Sequence, residues 1–269
     1  MTSRFWPVTR YVVMRLAPVC LIVFSLLHGS LSWSATQHLA EAGPDEWIQH
    51  LTTIHTRWLA IHLGGVALFP LLALTIWWML PASGLASRIS QVALIIYAPL
   101  YVAVDAVLGI GSSILLNYRP QLAAADRAGA DGAFSALFFE PSPIDWLDRG
   151  ASIAWEVGAF AAAIALWRTS GWRVSLPLAV AGWALAKSHF PPYGEIAGLA
   201  LIVAVWQHTA RARSAERPEC HFVTGALAAP AETRELSGVR DGSARAHAGE
   251  RHERSPVQLE GAGGGADHG

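Results

Sequence analysis

The dominant pattern along the chain is a series of apolar stretches, each close to the length of a membrane-spanning helix. A helix needs about 20 residues to cross the roughly 30 Å of hydrocarbon in a bilayer. Stretches that meet or approach this length are Tyr11–Trp33, His55–Leu80, Arg88–Leu116, Ala151–Arg168, Trp172–His189 and Tyr193–His208. The Gly and Pro residues within them are tolerated in membrane helices. The pattern predicts an all-α, polytopic transmembrane helix bundle with about six spans.

Composition supports the bilayer as the main partner of the chain. Apolar residues make up 53% of the sequence and charged residues 14%, against about 25% charged in soluble domains. The net charge of −1 provides no basic surface for nucleic acid. The two cysteines, Cys20 and Cys220, stand alone, which excludes a disulfide framework. No feature of the sequence fixes an oligomeric state.

The polar end of the chain predicts a second region. Residues 1–210 form the predicted transmembrane helical domain, and residues 211–269 are rich in charged and small residues, ending in the low-complexity run Gly261–Gly269. Such a segment cannot bury enough apolar surface to offset its chain entropy. We therefore expect residues 211–269 to be a disordered cytoplasmic tail.

Arginine placement orients the predicted bundle. With six crossings, one side receives Arg4, Arg10, Arg15, Arg88, Arg168, Arg173, Arg211 and Arg213. The loop between the first two spans instead carries Glu41, Asp45 and Glu46. The excess of arginine in cytoplasmic loops predicts that both termini face the cytoplasm. With its single lysine and many Ala and Gly residues, the chain is typical of a GC-rich bacterial genome, so the predicted location is the bacterial inner membrane.

The N-terminus has a second interpretation. Basic residues, the apolar run Leu16–Leu27 and the small residues near Ala35 also describe a signal peptide. Cleavage near residue 34 would leave five spans with the C-terminus still inside. An uncut first helix fits the apolar character that persists beyond Leu27.

The long outer loop Asn117–Gly150 contains the apolar segment Phe134–Phe139. Loops of this length without secondary structure are uncommon in compact domains. The segment is expected to lie along the membrane surface, to fold over the mouth of the bundle, or to form an apolar spot in a mobile loop.

One group of titratable side chains in the predicted spans falls in the outer half of the membrane or at its rim, while the inner half has almost none. The members of this group are His28, His55, His62, Asp105, Glu156, Lys187, His189 and Glu195. Each charged group costs about 2.5–3.5 kcal/mol at the bilayer centre, so such residues are functional candidates. Their one-sided distribution predicts a polar cavity that opens outward.

Helix periodicity selects the strongest candidates. Tyr97, Tyr101, Asp105, Gly109 and Ser112 share one face of the third span. At 1.5 Å per residue, Asp105 lies about 16 Å below the predicted outer end of its helix, near the midplane. His55 and His62 share a face of the second span. We therefore predict a site for a small solute, ion or proton formed by Asp105, His62, Tyr101 and Glu156.

Four interpretations of this cluster remain open. It is structural glue between helices, a transport or sensing site, a divalent metal site formed by His62, Asp105 and His189 with Glu156 as a base, or a haem site with two of His28, His62 and His189 as ligands. The chain contains no H-E-x-x-H, Gly-rich phosphate loop or G-x-S-x-G motif. No cofactor is identified. A non-enzymatic binding or conducting protein is favoured over a metal-dependent or haem-binding membrane enzyme acting on a lipid or apolar substrate.

Overall fold

The computed structural model describes residues 5–28, 43–139 and 141–216, and this part of the chain consists of helices and short connections, with no strand. The α-helices, numbered in chain order, are α1 Phe5–His28, α2 Pro44–Met79, α3 Leu85–Val104, α4 Ser112–Tyr118, α5 Ala124–Phe138, α6 Pro143–Ser170, α7 Trp172–Lys187 and α8 Tyr193–Glu216. A π-helical segment, Asp105–Gly111, joins α3 to α4 without a break, and a 3₁₀ turn follows at Arg119–Gln121. The prediction of an all-α polytopic bundle is confirmed.

Six helices form a closed ring. Each helix packs on the next in the circular order α1, α2, α3, α6, α7, α8 and back to α1. Small residues allow close approach within the ring, as at Gly182 of α7, where an added Cβ would lie 2.7 Å from the Cβ of Ala159 on α6. Contacts of this kind are typical of membrane helices, which associate mainly through close packing.

The outer surface of the ring is apolar. Val92, Ile164 and Leu199 are more than half exposed, at 57%, 67% and 57%. Helical stretches long and apolar enough to cross a membrane, within the described residues, are Val8–His28, Pro44–Met79 and Leu85–Gln121, and a fourth falls within Ala124–Ser170, the range that comprises α5 and α6. The shorter α7 and the more polar α8 complete the ring. The chain is a membrane protein whose exposed apolar surface faces lipid.

Two of the helices are longer than a bilayer requires. The 36 residues of α2 extend about 54 Å, well beyond the roughly 30 Å of hydrocarbon. The continuous helix from Leu85 to Tyr118 extends past the bundle at the same end. We call this end of the molecule the cap side.

The protruding ends of α2 and α4 form a cap together with α5. Its core consists of Ile48, Leu51, Trp58, Leu116 and Phe134, and Phe134 is fully buried. The predicted loop Asn117–Gly150 is therefore folded, because its apolar segment completes this core instead of lying free. Helix α2 begins at Pro44, ahead of the predicted span start at His55, and α6 begins at Pro143, ahead of Ala151.

The opposite end of the bundle has shorter connections. Gly171 ends α6 and precedes α7 with a φ of 68°, a conformation that few residues other than glycine adopt readily. Helix α8 continues through residues 211–216, beyond the predicted domain boundary. The predicted tail from residue 217 onward, and the predicted cleavage region near residue 34, lie outside the described residues.

Candidate functional site

Five titratable side chains form one continuous hydrogen-bonded chain inside the cap-side end of the ring. The chain is Asp105–His62–His28–His189–Tyr101, and we call it the histidine network. Asp105 Oδ1 contacts His62 Nδ1. The Nε2 atoms of His62 and His28 are 3.1 Å apart, those of His28 and His189 are 3.3 Å apart, and His189 Nδ1 lies 2.5 Å from the Tyr101 hydroxyl.

The ring topology brings these residues together from distant parts of the sequence. His28 is the last residue of α1, and His62 lies within α2. Tyr101 is on α3, Asp105 begins the π-helical segment, and His189 lies in the connection between α7 and α8. The network therefore links elements on both sides of α1 in the ring.

The π-helical segment and two glycines shape the contact between α2 and the Asp105 helix. A Cβ at Gly109 would overlap the His62 ring, and a Cβ at Gly65 would overlap the Asp105 carboxylate. The absence of side chains at these positions lets His62 and Asp105 meet. Short π-helical segments within α-helices are frequent at functional sites.

Aromatic rings enclose the network. Phe24, Trp58 and Phe190 pack on the His28 ring with centroid separations of 5.3, 4.5 and 4.1 Å. His28, His62 and Asp105 are only 3–4% exposed. These groups are thus packed within protein, whereas the sequence predicted that they line an open polar cavity.

The site also lies closer to the cap than the sequence suggested. Asp105 follows the whole 20-residue length of α3, which is about 30 Å of helix from the opposite end. The sequence took Leu116 as the outer end of the span, whereas Leu116 is part of the cap core. Trp58 of the same core packs on the His28 ring, so the network lies directly beneath the cap.

Two of the residues predicted for this region stand apart from the network. Glu156 on α6 is half-buried, and no hydrogen bond joins its side chain to the network among the described residues. His55 is also half-buried, and its Nδ1 lies 2.9 Å from the backbone carbonyl of Thr52, within its own helix.

The geometry does not fit the two cofactors considered from the sequence. Within the described ranges, no group of three or more His, Cys, Asp and Glu side chains is arranged to hold a metal ion. In the suggested set of His62, Asp105 and His189, the carboxylate bonds to the Nδ1 of His62, and His28 stands between His62 and His189. A haem between paired histidines needs space for the macrocycle between their Nε2 atoms. The 3.1 and 3.3 Å separations and the packed aromatic rings leave none.

His28 is the central member of the network, and sequence reasoning considered it mainly as a haem ligand. Its Nε2 faces both other histidines, while its buried Nδ1 has no hydrogen-bond partner among the described residues. The sequence did place His28 at the end of an apolar helix, on the same side of the predicted bundle as His62 and His189. Buried Asp105 Oδ2 and the Tyr97 hydroxyl also lack partners within the described part. Buried polar groups without a partner are uncommon and call for a specific explanation at each position.

Comparison with known proteins gives no assignment: no family model, no curated protein and no solved structure matches this chain. The membrane fold and the histidine network are therefore the features that bear on function.

Proposed function

We propose that this membrane protein binds a proton within the bundle and transfers it along the histidine network between Asp105 and His28. The observation that carries the proposal is the unbroken series of hydrogen bonds through both nitrogens of His62. Buried histidine and carboxylate side chains within membrane proteins are common components of proton relays.

A count of donors and acceptors supports this proposal. With every group neutral, Asp105 donates its proton to His62 Nδ1, and His62 Nε2–H donates to His28 Nε2. On the other side, the Tyr101 hydroxyl donates to His189 Nδ1, and His189 Nε2–H donates to His28 Nε2. His28 Nε2 has a single lone pair, which the N–H groups of His62 and His189 share in a three-centre hydrogen bond, so His28 is the acceptor at which the two arms meet.

The transfer step follows from this arrangement. The proton on His62 Nε2 moves to His28 Nε2 while the Asp105 proton moves to His62 Nδ1. The products are an Asp105 carboxylate, a neutral His62 with its proton on the other nitrogen, and a His28 imidazolium. Two N–H bonds form, one N–H and one O–H bond break, and total charge is conserved.

The network has two arms that meet at His28, Asp105–His62 and Tyr101–His189, and they differ in how readily they release a proton. The ordinary pKa values of Asp and Tyr differ by about six units, which is about 8 kcal/mol before the surroundings act. The Asp105 arm is thus the donor arm. The Tyr101 arm orients His189 and, through it, the ring of His28.

Replacement of the carboxyl group tests the proposal. Asp105→Asn keeps the shape and can still donate a hydrogen bond to His62 Nδ1, but it has no proton to transfer. We expect proton flux in proteoliposomes to fall at least about tenfold, and the infrared carboxyl signal that responds to pH to disappear. The fold should survive.

Glu156→Gln is the matched control, because it removes a carboxyl group of the same bundle outside the network. Proton flux should be unchanged in this variant. Equal flux in the wild type and Asp105→Asn would reject the relay and assign the network a structural role. A stoichiometric metal or a haem absorption band in the purified protein would favour the enzyme interpretation instead.

We also propose that the cap faces the exterior of a bacterial inner membrane and that both termini face the cytoplasm. The arginine distribution supports this orientation. Reporter fusions after Arg88, Arg173 and Arg213 should give cytoplasmic signals, and fusions near Glu41 and Asp131 external ones. A cytoplasmic signal near Asp131 would overturn the proposed orientation.

A further inference from the structure

An apolar groove runs along the lipid-facing seam between α1 and α2. Its volume is about 650 Å³. Val12 and Leu71 lie at the end away from the cap, and Leu27 and Arg57 lie at the cap-side end. Nearly all of its surface is hydrocarbon, and among its described lining residues Arg57 is the one that carries a charge.

We propose that this groove holds an acyl chain of an anionic phospholipid whose phosphate group binds the guanidinium of Arg57. This site is separate from the histidine network, and the proposal does not depend on proton transfer.

The length of the groove fits an extended acyl chain. Val12 and Leu27 are 15 residues apart on α1, which corresponds to about 22 Å of helix. One leaflet contributes only about 15 Å of hydrocarbon. The groove therefore accommodates a full chain along its length. Gly64 widens it from the α2 side, because a Cβ at this position would meet no atom within 4 Å.

Charge identifies the head group. The Nε of Arg57 is buried and has no hydrogen-bond partner among the described residues, and no ion pair to Arg57 occurs there. Arginine binds phosphate through paired, charge-assisted hydrogen bonds. Arg57 lies about 7 Å further towards the cap than His62 along α2, which places it near the lipid head groups. An anionic phosphate at this point would satisfy the guanidinium while the chain fills the groove.

Lipid binding to the full-length protein tests the proposal. The delipidated protein in detergent is titrated with phosphatidylglycerol, with phosphatidylcholine and with inorganic phosphate, and bound lipid is counted by native mass spectrometry. We expect one phosphatidylglycerol to bind with at least about tenfold preference over phosphatidylcholine, and inorganic phosphate alone to give no protection against thermal unfolding.

Two variants separate the head-group contact from the chain contact. Arg57→Gln should lose the preference between the two lipids, and Gly64→Leu should weaken binding of both lipids about tenfold by filling the groove. Arg149→Gln and Gly129→Leu are the matched controls, because both residues are exposed on the cap side and away from the groove. Both control variants should bind like the wild type.

Three results would overturn the proposal. Equal affinity for both lipids in the wild type would remove the role of Arg57. Unchanged binding in Gly64→Leu would remove the groove as the chain site. Thermal protection by inorganic phosphate equal to that by phosphatidylglycerol would assign Arg57 to free phosphate rather than to a lipid.

Discussion

The cap and the bundle each have an apolar core, but different forces hold the two cores together. The cap core around Phe134 lies where α2 and α4 extend beyond the hydrocarbon, so its formation removes apolar side chains from water. The bundle core exchanges contacts with lipid for contacts with protein, which provides little hydrophobic driving force. It depends instead on close packing, as at Gly182 against Ala159.

This contrast means that a lost large side chain is most costly in the cap, whereas an added methyl group is most costly in the bundle. The same substitution should therefore have opposite consequences in the two regions. Four predictions test this difference, beginning with the largest effect.

The cap core should be sensitive to truncation. Phe134→Ala removes its central fully buried ring, and we expect a loss of about 3–5 kcal/mol in cap stability. Hydrogen exchange in α5 and in the first turns of α2 should accelerate strongly, while exchange in α7 and α8 stays unchanged. Uniform acceleration across both regions would mean that the cap and the bundle unfold as one unit.

The contact between the Asp105 helix and α2 should be sensitive to added volume. Gly109→Ala forces the His62 ring away from Asp105, and we expect a loss of about 1–3 kcal/mol in thermal unfolding experiments. Gly111→Ala, in the same π-helical segment, is the control, because its nearest contact would be an ordinary 3.5 Å. If the two variants have equal stability, the close contact does not exist in the native protein.

One substitution placed in both regions gives the most direct comparison. Gly129→Ala in exposed α5 should stabilise the cap by about 0.5–1 kcal/mol through helix propensity. Gly182→Ala gains the same propensity but meets Ala159, so we expect bundle stability to fall by about 1 kcal/mol. Local hydrogen exchange measures each change, and stabilisation in both variants would show that the bundle can relax around the added methyl group.

The smallest effect concerns the ion pair of the cap. Arg119 donates hydrogen bonds to Asp131 at 2.6 and 2.8 Å, and these bonds hold the pKa of Asp131 below its usual value. Because the folded pKa is lowered, the stabilisation is present above the unfolded value of about 3.9 and is lost as the pH falls through the folded pKa.

Both partners of this ion pair are partly exposed, so Asp131→Asn should cost less than about 1 kcal/mol at pH 7. The difference in cap stability between the wild type and the variant should shrink as the pH falls below about 3.9. Hydrogen exchange of α5 at pH 7 and at acidic pH measures this, and a difference that does not shrink would contradict the assignment.

The sequence predicted the helices of the bundle better than it predicted which helices pack against each other. The spans followed from hydropathy alone, and the pairing of Asp105 with His62 followed from helix faces and the need of a buried carboxyl group for a partner. The central role of His28 could not be derived, because it depends on the ring order that brings α1 between α2 and α8. The sequence allowed the Phe134–Phe139 segment to fold over the bundle mouth, but the cap core could not be derived, because the partners of Phe134 beyond Phe138 on its own helix come from α2 and α4.

The π-helical segment Asp105–Gly111 has a consequence for how the two regions are coupled. A π turn contains an extra residue, so α4 is rotated by about one residue step, roughly 100°, relative to an uninterrupted α-helix. This rotation lets one continuous helix direct Asp105 into the bundle and Leu116 into the cap core. If the same residues were α-helical instead, Leu116 would turn away from Phe134 by that step, whereas deletion of one residue between Ala106 and Ile110 would remove the extra residue and leave Asp105 and Leu116 in their present orientations. The alignment of the cap with the bundle therefore depends on the π-helical hydrogen bonding of this segment at its present length.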